Sequence, residues 1–502
     1  YVTDKFDLAG NFGYRNYDNY KDGDGTEIPS AFKSTDYGLK FGYNIEKNHR
    51  IQAAWRQAFG RDVLHAGLPM DTDFDNSSIA SLDYKWQHFG KIIQQFQVKT
   101  YYSYVDHLMT NFDRSTARAT ESSALVESRT AGIKAELEWK TSDKLHFFSG
   151  IDYLHIGRDG DRTSLIKIQN GNPLTDPVTR INSIWQDSYI DDLGIYTEGK
   201  WNFAPSYILT VGLRYDRVIS DIRKPENDFA SLYDLGKRTE NNISGTLSLK
   251  KAISNRLFIE LAYGRGVRSA NMIERYINRF NVGQDNYTYT GNPNLKAEIN
   301  NQFEIGVSGY ENLNDFFNTL YFEGSVYYSF LDNYISAVIE PAIGTDAKVF
   351  TNIRDAYKTG VDVSVKLDFA NHYFLKTDLS YVYARNKDFD ESLPLIPPFT
   401  ARISAGFENT KFWGNMQYNI VATQNELAPS FGEISTGGYQ TMDLRLGYRP
   451  VENWSIGIAG LNIFDKTYHN HLNFAFRNQE GFANVPIKEQ GRNFTVFVQY
   501  KF

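Results

Sequence analysis

The sequence predicts an all-β chain folded as a transmembrane antiparallel β-barrel, and three observations predict it. Segments of period-2 alternation recur along all 502 residues. Aromatic side chains make up 15% of the chain, with 34 Tyr and 35 Phe, as two interfacial girdles would require. Mean hydropathy is -0.47, and no stretch approaches the roughly 20 apolar residues of a membrane helix. Barrel strands reconcile these facts, because lipid-facing and lumen-facing side chains alternate and average to a polar composition.

Taken in order, alternating segments begin near Lys5, Phe32, Arg50, Ser77, Ile92, Arg129, Lys144 and Ser188. In 207–217 (YILTVGLRYDR), Tyr207, Leu209, Val211, Leu213 and Tyr215 form one face, and Thr210, Gly212, Arg214 and Asp216 the other. Charges on the second face are costly in lipid and comfortable in a polar lumen. Further segments begin near Asn242, Arg256, Ile299, Thr319, Thr351, His372, Phe399 and Phe412. In 441–448, Met442, Leu444, Leu446 and Tyr448 oppose Thr441, Asp443, Arg445 and Gly447; another segment begins near Ser455. The last, 493–502 (NFTVFVQYKF), puts Phe494, Val496, Val498, Tyr500 and Phe502 on one face, with Phe497 the sole apolar residue of the other. It ends on an aromatic residue, as the closing strand of a bacterial outer-membrane barrel does. The total is about twenty strands of the ~10 residues a tilted crossing needs. A soluble multi-domain β protein is the alternative, but it would leave the Tyr/Phe faces as exposed patches.

Connections alternate in length. Short turns such as 46–48, 142–143 and 254–255 carry Asn, Asp or Ser. Long polar insertions are expected at about 157–186, 223–240, 269–297 and 467–490, and short turns on one side with long loops on the other is the barrel pattern. No Cys occurs, which excludes disulfides and Cys-based metal or thiol chemistry. A net charge of -7 argues against nucleic acid as a principal partner. The chain opens at Tyr1 already in strand, with no signal peptide, so a mature or truncated sequence is expected.

Three places make the chain resemble TonB-dependent outer-membrane receptors. Arg265–Glu274 followed by GNPNLKAE (291–298) is similar to the family's mid-barrel signature; LNIFDKTY (461–468) is similar to its penultimate-strand segment; and NFTVFVQYKF is similar to its last strand. The resemblance implies a Gram-negative outer-membrane location, transport rather than catalysis, and a TonB–ExbB–ExbD complex that supplies energy through a plug domain. Outer-membrane lipid and lipopolysaccharide would surround it, and an accessory surface lipoprotein is a further partner the family admits. Such receptors have a plug before a barrel of about 22 strands. No plug precedes the first strand here, so residues 1–502 are expected to be barrel strands about 3 to 22, with the plug, the TonB box and the first strands upstream.

The resemblance extends to a copper-importing subfamily whose members combine a GLPMD-type segment with a His-x-Met pair. Here 65–71 reads HAGLPMD, and 104–110 reads YVDHLMT. His107 and Met109, at i and i+2, share a strand face, and imidazole with thioether suits Cu(I). His107 and Met109 are therefore the first-choice metal ligands, with His65 and Met70 as a second tier and copper as the transported ligand; no cofactor is required. The plug would add further ligands, among them a Cys and a Met. An ordinary lumen-facing polar and gap-filling pair is the alternative for His107 and Met109, and Gly67 and Pro69 suggest that His65 and Met70 shape a turn. A siderophore or haem receptor is the rival transport reading; a non-transporting surface receptor or scaffold barrel is the rival from another class.

Weaker candidates remain. His469 and His471 (HNH) would share a strand face and bind a metal or meet haem, or sit in a solvated loop or strand rim. Asp22–Glu27 (DGDGTE) reads as a turn, since it lacks the calcium-loop spacing. Tyr276, Phe280, Tyr287 and Tyr289 are loop aromatics that would stack on an organic ligand or pack the loop. No catalytic constellation is visible, because His107 and the adjacent Asp106 point to opposite faces of a strand.

Overall fold

In the structure, a computed structural model, residues 1–282, 285, 287–344, 346–473, 475–476 and 485–502 are described. Twenty wall strands run in chain order. The first ten are β1 (Phe6–Tyr17), β2 (Phe32–Glu46), β3 (His49–Val63), β4 (Asp71–Gln87), β5 (Ile93–Thr110), β6 (Thr120–Ser142), β7 (Leu145–Gln169), β8 (Ser188–Ala204), β9 (Tyr207–Ile222) and β10 (Arg238–Ala252). The rest are β11 (Leu257–Arg268), β12 (Glu298–Asn312), β13 (Phe317–Ile339), β14 (Ala347–Phe369), β15 (Tyr373–Asn386), β16 (Thr400–Glu408), β17 (Phe412–Val421), β18 (Tyr439–Tyr448), β19 (Trp454–Leu461) and β20 (Asn493–Tyr500). Each pairs antiparallel with the next, from β1–β2 to β19–β20. No helix among the described residues is long and apolar enough to cross a membrane.

The chain folds with its greasy face outward. In β9, Val211, Leu213 and Tyr215 are exposed, while Arg214 on the opposite face donates to Asp152 at 2.8 and 2.9 Å and to Asp216 at 2.7 Å. Opposite charges on the inner face satisfy one another where the lumen is polar. Lumen-facing residues of β10 to β18, among them Glu260, Glu304, Asp362, Asp378, Arg402 and Asn419, line one cavity of about 940 Å³, so the sheet wraps around an interior.

The apolar core lies at the end where the long connections leave. Met70, Met109, Ile184, Trp185, Phe229, Met272, Tyr276, Ile277 and Phe431 belong to one buried cluster there, drawn from six separate stretches of chain. Lys348 ties that lid together: it is almost fully buried, pairs with Asp285, and sits 3.7 Å from the centre of the Phe431 ring. The short turns lie at the other end; only 47–48 join β2 to β3 and only 143–144 join β6 to β7.

Two expected loops are ordered differently. The 157–186 insertion is a hairpin: β7 runs 25 residues, turns at Asn170 and Gly171, both at positive φ, and returns as Asn172–Ser183. An Asn-Gly pair at φ > 0 matches the twist of a two-residue hairpin. The 269–297 insertion carries a helix, Met272–Tyr276, closed by an Asn271/Glu274 capping box, and a strand, Thr288–Thr290, parallel to β14. The 223–240 insertion contains one helical turn, Asn227–Ala230, before β10 begins at Arg238. The 467–490 insertion lies partly outside the described residues. β1 pairs only with β2, and β20 only with β19, among the described residues.

Candidate functional site

β5 alternates with a polar row at Gln97, Lys99 and Ser103 and an apolar row at Phe96, Val98 and Tyr102, of which Tyr102 is exposed on the lipid side. His107 and Met109 continue the polar row and therefore face the interior. Antiparallel register then selects their neighbours. Asp75 stands opposite His107, and Thr72 opposite Met109. His107 Nδ1 lies 3.0 Å from the Asp75 carboxylate. That bond fixes the ring and leaves Nε2 with its lone pair, the arrangement that raises the basicity of a metal-ligating imidazole.

His65 reaches the same place from the β3–β4 connection. Its Nε2 is 3.0 Å from the Thr72 hydroxyl, and its backbone N–H donates to Asp71 at 2.9 Å. Arg114 clamps the connection by donating to the His65 carbonyl at 2.7 Å and to both Asp71 oxygens. Burial pushes the His65 imidazole below its ordinary value; His107 and Arg114 press the same way, and Asp71 opposes them. His65 is thus held neutral beside His107. Met70 and Met109 are 5% and 8% exposed and belong to the buried cluster that also includes Ala124, which faces Met109 across the β5–β6 register.

The four sequence candidates thus lie in one neighbourhood under the outer connections: His65 meets Thr72, the partner of Met109, His107 is two residues along the same face, and Met70 belongs to the same buried cluster as Met109. They are two imidazoles and two thioethers. Among the described residues no group of three or more His, Cys, Asp or Glu side chains is placed to hold a metal ion. Sequence reading missed Asp75, Thr72 and Arg114. Asp75 and Thr72 matter only through strand register, and Arg114 only through a contact 43 residues from Asp71.

The other candidates resolve otherwise. His469 and His471 lie outside any strand, which corrects the expectation of a shared strand face, and His471 is 4% exposed rather than on a solvated rim. His471 Nδ1 is 3.0 Å from the Thr436 hydroxyl, and His469 Nδ1 is 2.7 Å from the Ile487 carbonyl. They bind loop to loop. Asp22 accepts from the backbone of Asp24 and Thr26, as a turn does. Tyr276 and Tyr289 are buried in the lid, so they pack the loop.

The signature segments are architectural. Arg275, 1% exposed, donates to the carbonyls of Ala270, Pro293 and Leu295 and to Glu240 at 2.5 Å, which cinches the GNPNL segment to β10. Gly291 is required there, because a Cβ would stand 2.5 Å from the Arg275 backbone. In LNIFDKTY, the Asn462 side chain closes on the backbone of Lys466 through both its amide N–H and its carbonyl, at 2.8 and 2.9 Å.

A family model described as TonB dependent receptor-like, beta-barrel, matches residues 4–463. No curated protein matches the chain. Among solved structures, "Copper transporter OprC" superposes with a TM-score of 0.86 at 21% identity, covering 99% of this chain and 76% of that one. The ferric yersiniabactin uptake receptor FyuA from Yersinia pestis gives 0.73 at 13% identity, covering 100% and 76%. The FrpB iron transporter from Neisseria meningitidis (F3-3 variant) gives 0.72 at 13%, covering 100% and 78%. At these identities the likeness is one of fold.

Proposed function

This chain belongs to the TonB-dependent receptor β-barrel family, the receptors and transporters of the Gram-negative outer membrane, and from that premise we propose that it imports a metal, copper first. The observation that carries the reading is the gathering of His65, Met70, His107 and Met109 in one neighbourhood below the outer loops. Soft sulfur selects Cu(I), and imidazole suits copper in either oxidation state. The structural likeness to a copper transporter supports the same cargo.

In this reading the chain supplies the wall of the site. Asp75 orients His107, and the Arg114–Asp71 clamp holds His65 against Thr72. The buried thioethers of Met70 and Met109 shield the ion from water. A plug domain and two further wall strands, upstream of these residues, complete the lumen and the sheet, and TonB acts on the plug to release the ion inward.

The test is metal content, by mass spectrometry, of the full-length protein after copper exposure, beside His107→Ala/Met109→Ala. Near-stoichiometric copper that the variant loses supports the assignment. Copper absent from both overturns it and moves the search for cargo to organic iron chelates.

A further inference from the structure

The returning strand of the 157–186 hairpin, Asn172–Ser183, pairs with β7 on one edge and leaves the other open. Register with β7 is continuous from Val178 to Ser183, so the backbone alternates strictly: one residue turns its N–H and C=O toward β7, and the next turns both away. The neighbouring bonds fix the phase. Ile184 N–H donates to the Gly160 carbonyl of β7 at 2.8 Å, whereas Ser183 N–H donates the other way, to the Glu226 carboxylate at 2.6 Å. Thr179 and Ile181 therefore point their N–H and C=O groups away from the hairpin, where no strand among the described residues meets them.

Half of this edge is protected and half is not. Pro173 and Pro177 have no N–H to offer, and the pairing with β7 breaks between Pro173 and Val178. Prolines and bulges are devices by which edge strands avoid pairing. From Val178 to Ser183 there is neither, and Val178 and Ile181 are 51% and 62% exposed. Asp161, opposite Ser183, and Glu121, two strands from Thr179, share the outer face with Ile181, so this level of the sheet stands in water above the apolar band. A second copy in the same membrane does not fit the edge as an antiparallel strand, because both hairpins would run in the same sense relative to the bilayer. The occupant is an extended segment of another protein, and register sets its side chains. Opposite Thr179 and Ile181 come apolar residues that cover the Ile181 side chain. Opposite Arg180 comes a non-hydrogen-bonded pair, the kind in which side chains stand closest. Arg180 is exposed, pairs with no carboxylate among the described residues, and lies diagonal to Arg162 on the same face. An acidic residue is favoured there.

We propose that Val178–Ser183 is a strand-addition site for an extended peptide in which apolar residues flank an acidic one, a protein-recognition surface that is independent of the cargo. The test is fluorescence anisotropy of a short, capped, labelled peptide of alternating valine and glutamate, titrated with the full-length protein in detergent beside the corresponding valine–lysine peptide. Wild type should bind the glutamate peptide at least about fivefold more tightly than the lysine peptide. Hydrogen exchange at the Thr179 and Ile181 amides should slow when the glutamate peptide binds. Ile181→Pro removes an N–H that faces away from β7, so it should lose the peptide and keep the hairpin, read as unchanged exchange at the Arg180 and Asn182 amides that bond to β7. Arg180→Glu should reverse the preference between the two peptides. No binding by wild type, exchange at Thr179 and Ile181 that the peptide does not slow, or undiminished binding by Ile181→Pro overturns the proposal. Copies of the wild-type protein that associate, and that Ile181→Pro separates, would assign the edge to self-association and overturn the proposal as well.

Discussion

Asp75 shows how much one unremarked side chain decides. Its carboxylate, 3.0 Å from His107 Nδ1, sets which imidazole nitrogen faces the interior. Asp75→Asn keeps the shape and weakens the acceptor, so copper affinity should fall about 10–100-fold with the fold intact; competition against a copper chelator reads it. A second residue-scale expectation concerns acid. Burial holds His65, His469 and His471 below their ordinary values, with Lys488 adding to the effect on His469 and His469 to that on His471. Below the ordinary value of about 6.5 an opened loop takes up protons that the closed loop resists, so closure loses stability as pH falls through that window. Glu433 has the opposite sign: burial holds it above its ordinary value, and acid favours its closed state. Glu489 shares that sign; with three imidazoles against two carboxylates, limited proteolysis should cut the outer loops faster at about pH 5.5 than at about 7.5, and Glu433→Gln should steepen the difference. Equal cutting at both values would contradict it.

The elements were legible where a membrane imposes period 2, and less so above it. In 207–217 the sequence separates the two faces as the structure does, because lipid on one side and lumen on the other leave no third choice. The 157–186 stretch reads as a loop because both faces meet water above the bilayer and the alternation fades; its strands are declared only by the Asn170–Gly171 turn and the register with β6 and β7. The 269–297 stretch is organised by Arg275, whose role depends on three carbonyls 5 to 20 residues away. Arg275→Met would leave those carbonyls without a donor and Glu240 as a half-buried lone charge. It should cost about 3–5 kcal/mol, measured by denaturant unfolding in detergent, with the mouth of the barrel loosening first.

At the scale of the whole molecule the wall has two unpaired sides. Phe12 on β1 is 74% exposed and Phe494 on β20 is 75% exposed, and neither strand has an outer partner among the described residues. Unpaired backbone groups are not tolerated in lipid. In the full-length protein, upstream strands should therefore protect the outward amides of both β1 and β20 from hydrogen exchange. Unprotected amides on either strand would refute the reading of this chain as strands 3 to 22.

The amino-acid order alone determined the architecture and named the four candidate side chains of the proposed site. Strand periodicity is local, and a bilayer punishes any error in it, so about twenty segments and their faces could be counted without coordinates. His107 and Met109 were visible for the same reason, two residues apart on one strand. Only the tertiary structure decided that His65 stands against Thr72, the cross-strand partner of Met109, and that Asp75 meets the His107 ring. Each of those facts is a matter of register between strands, set by pairings tens of residues apart, and no local pattern encodes a register.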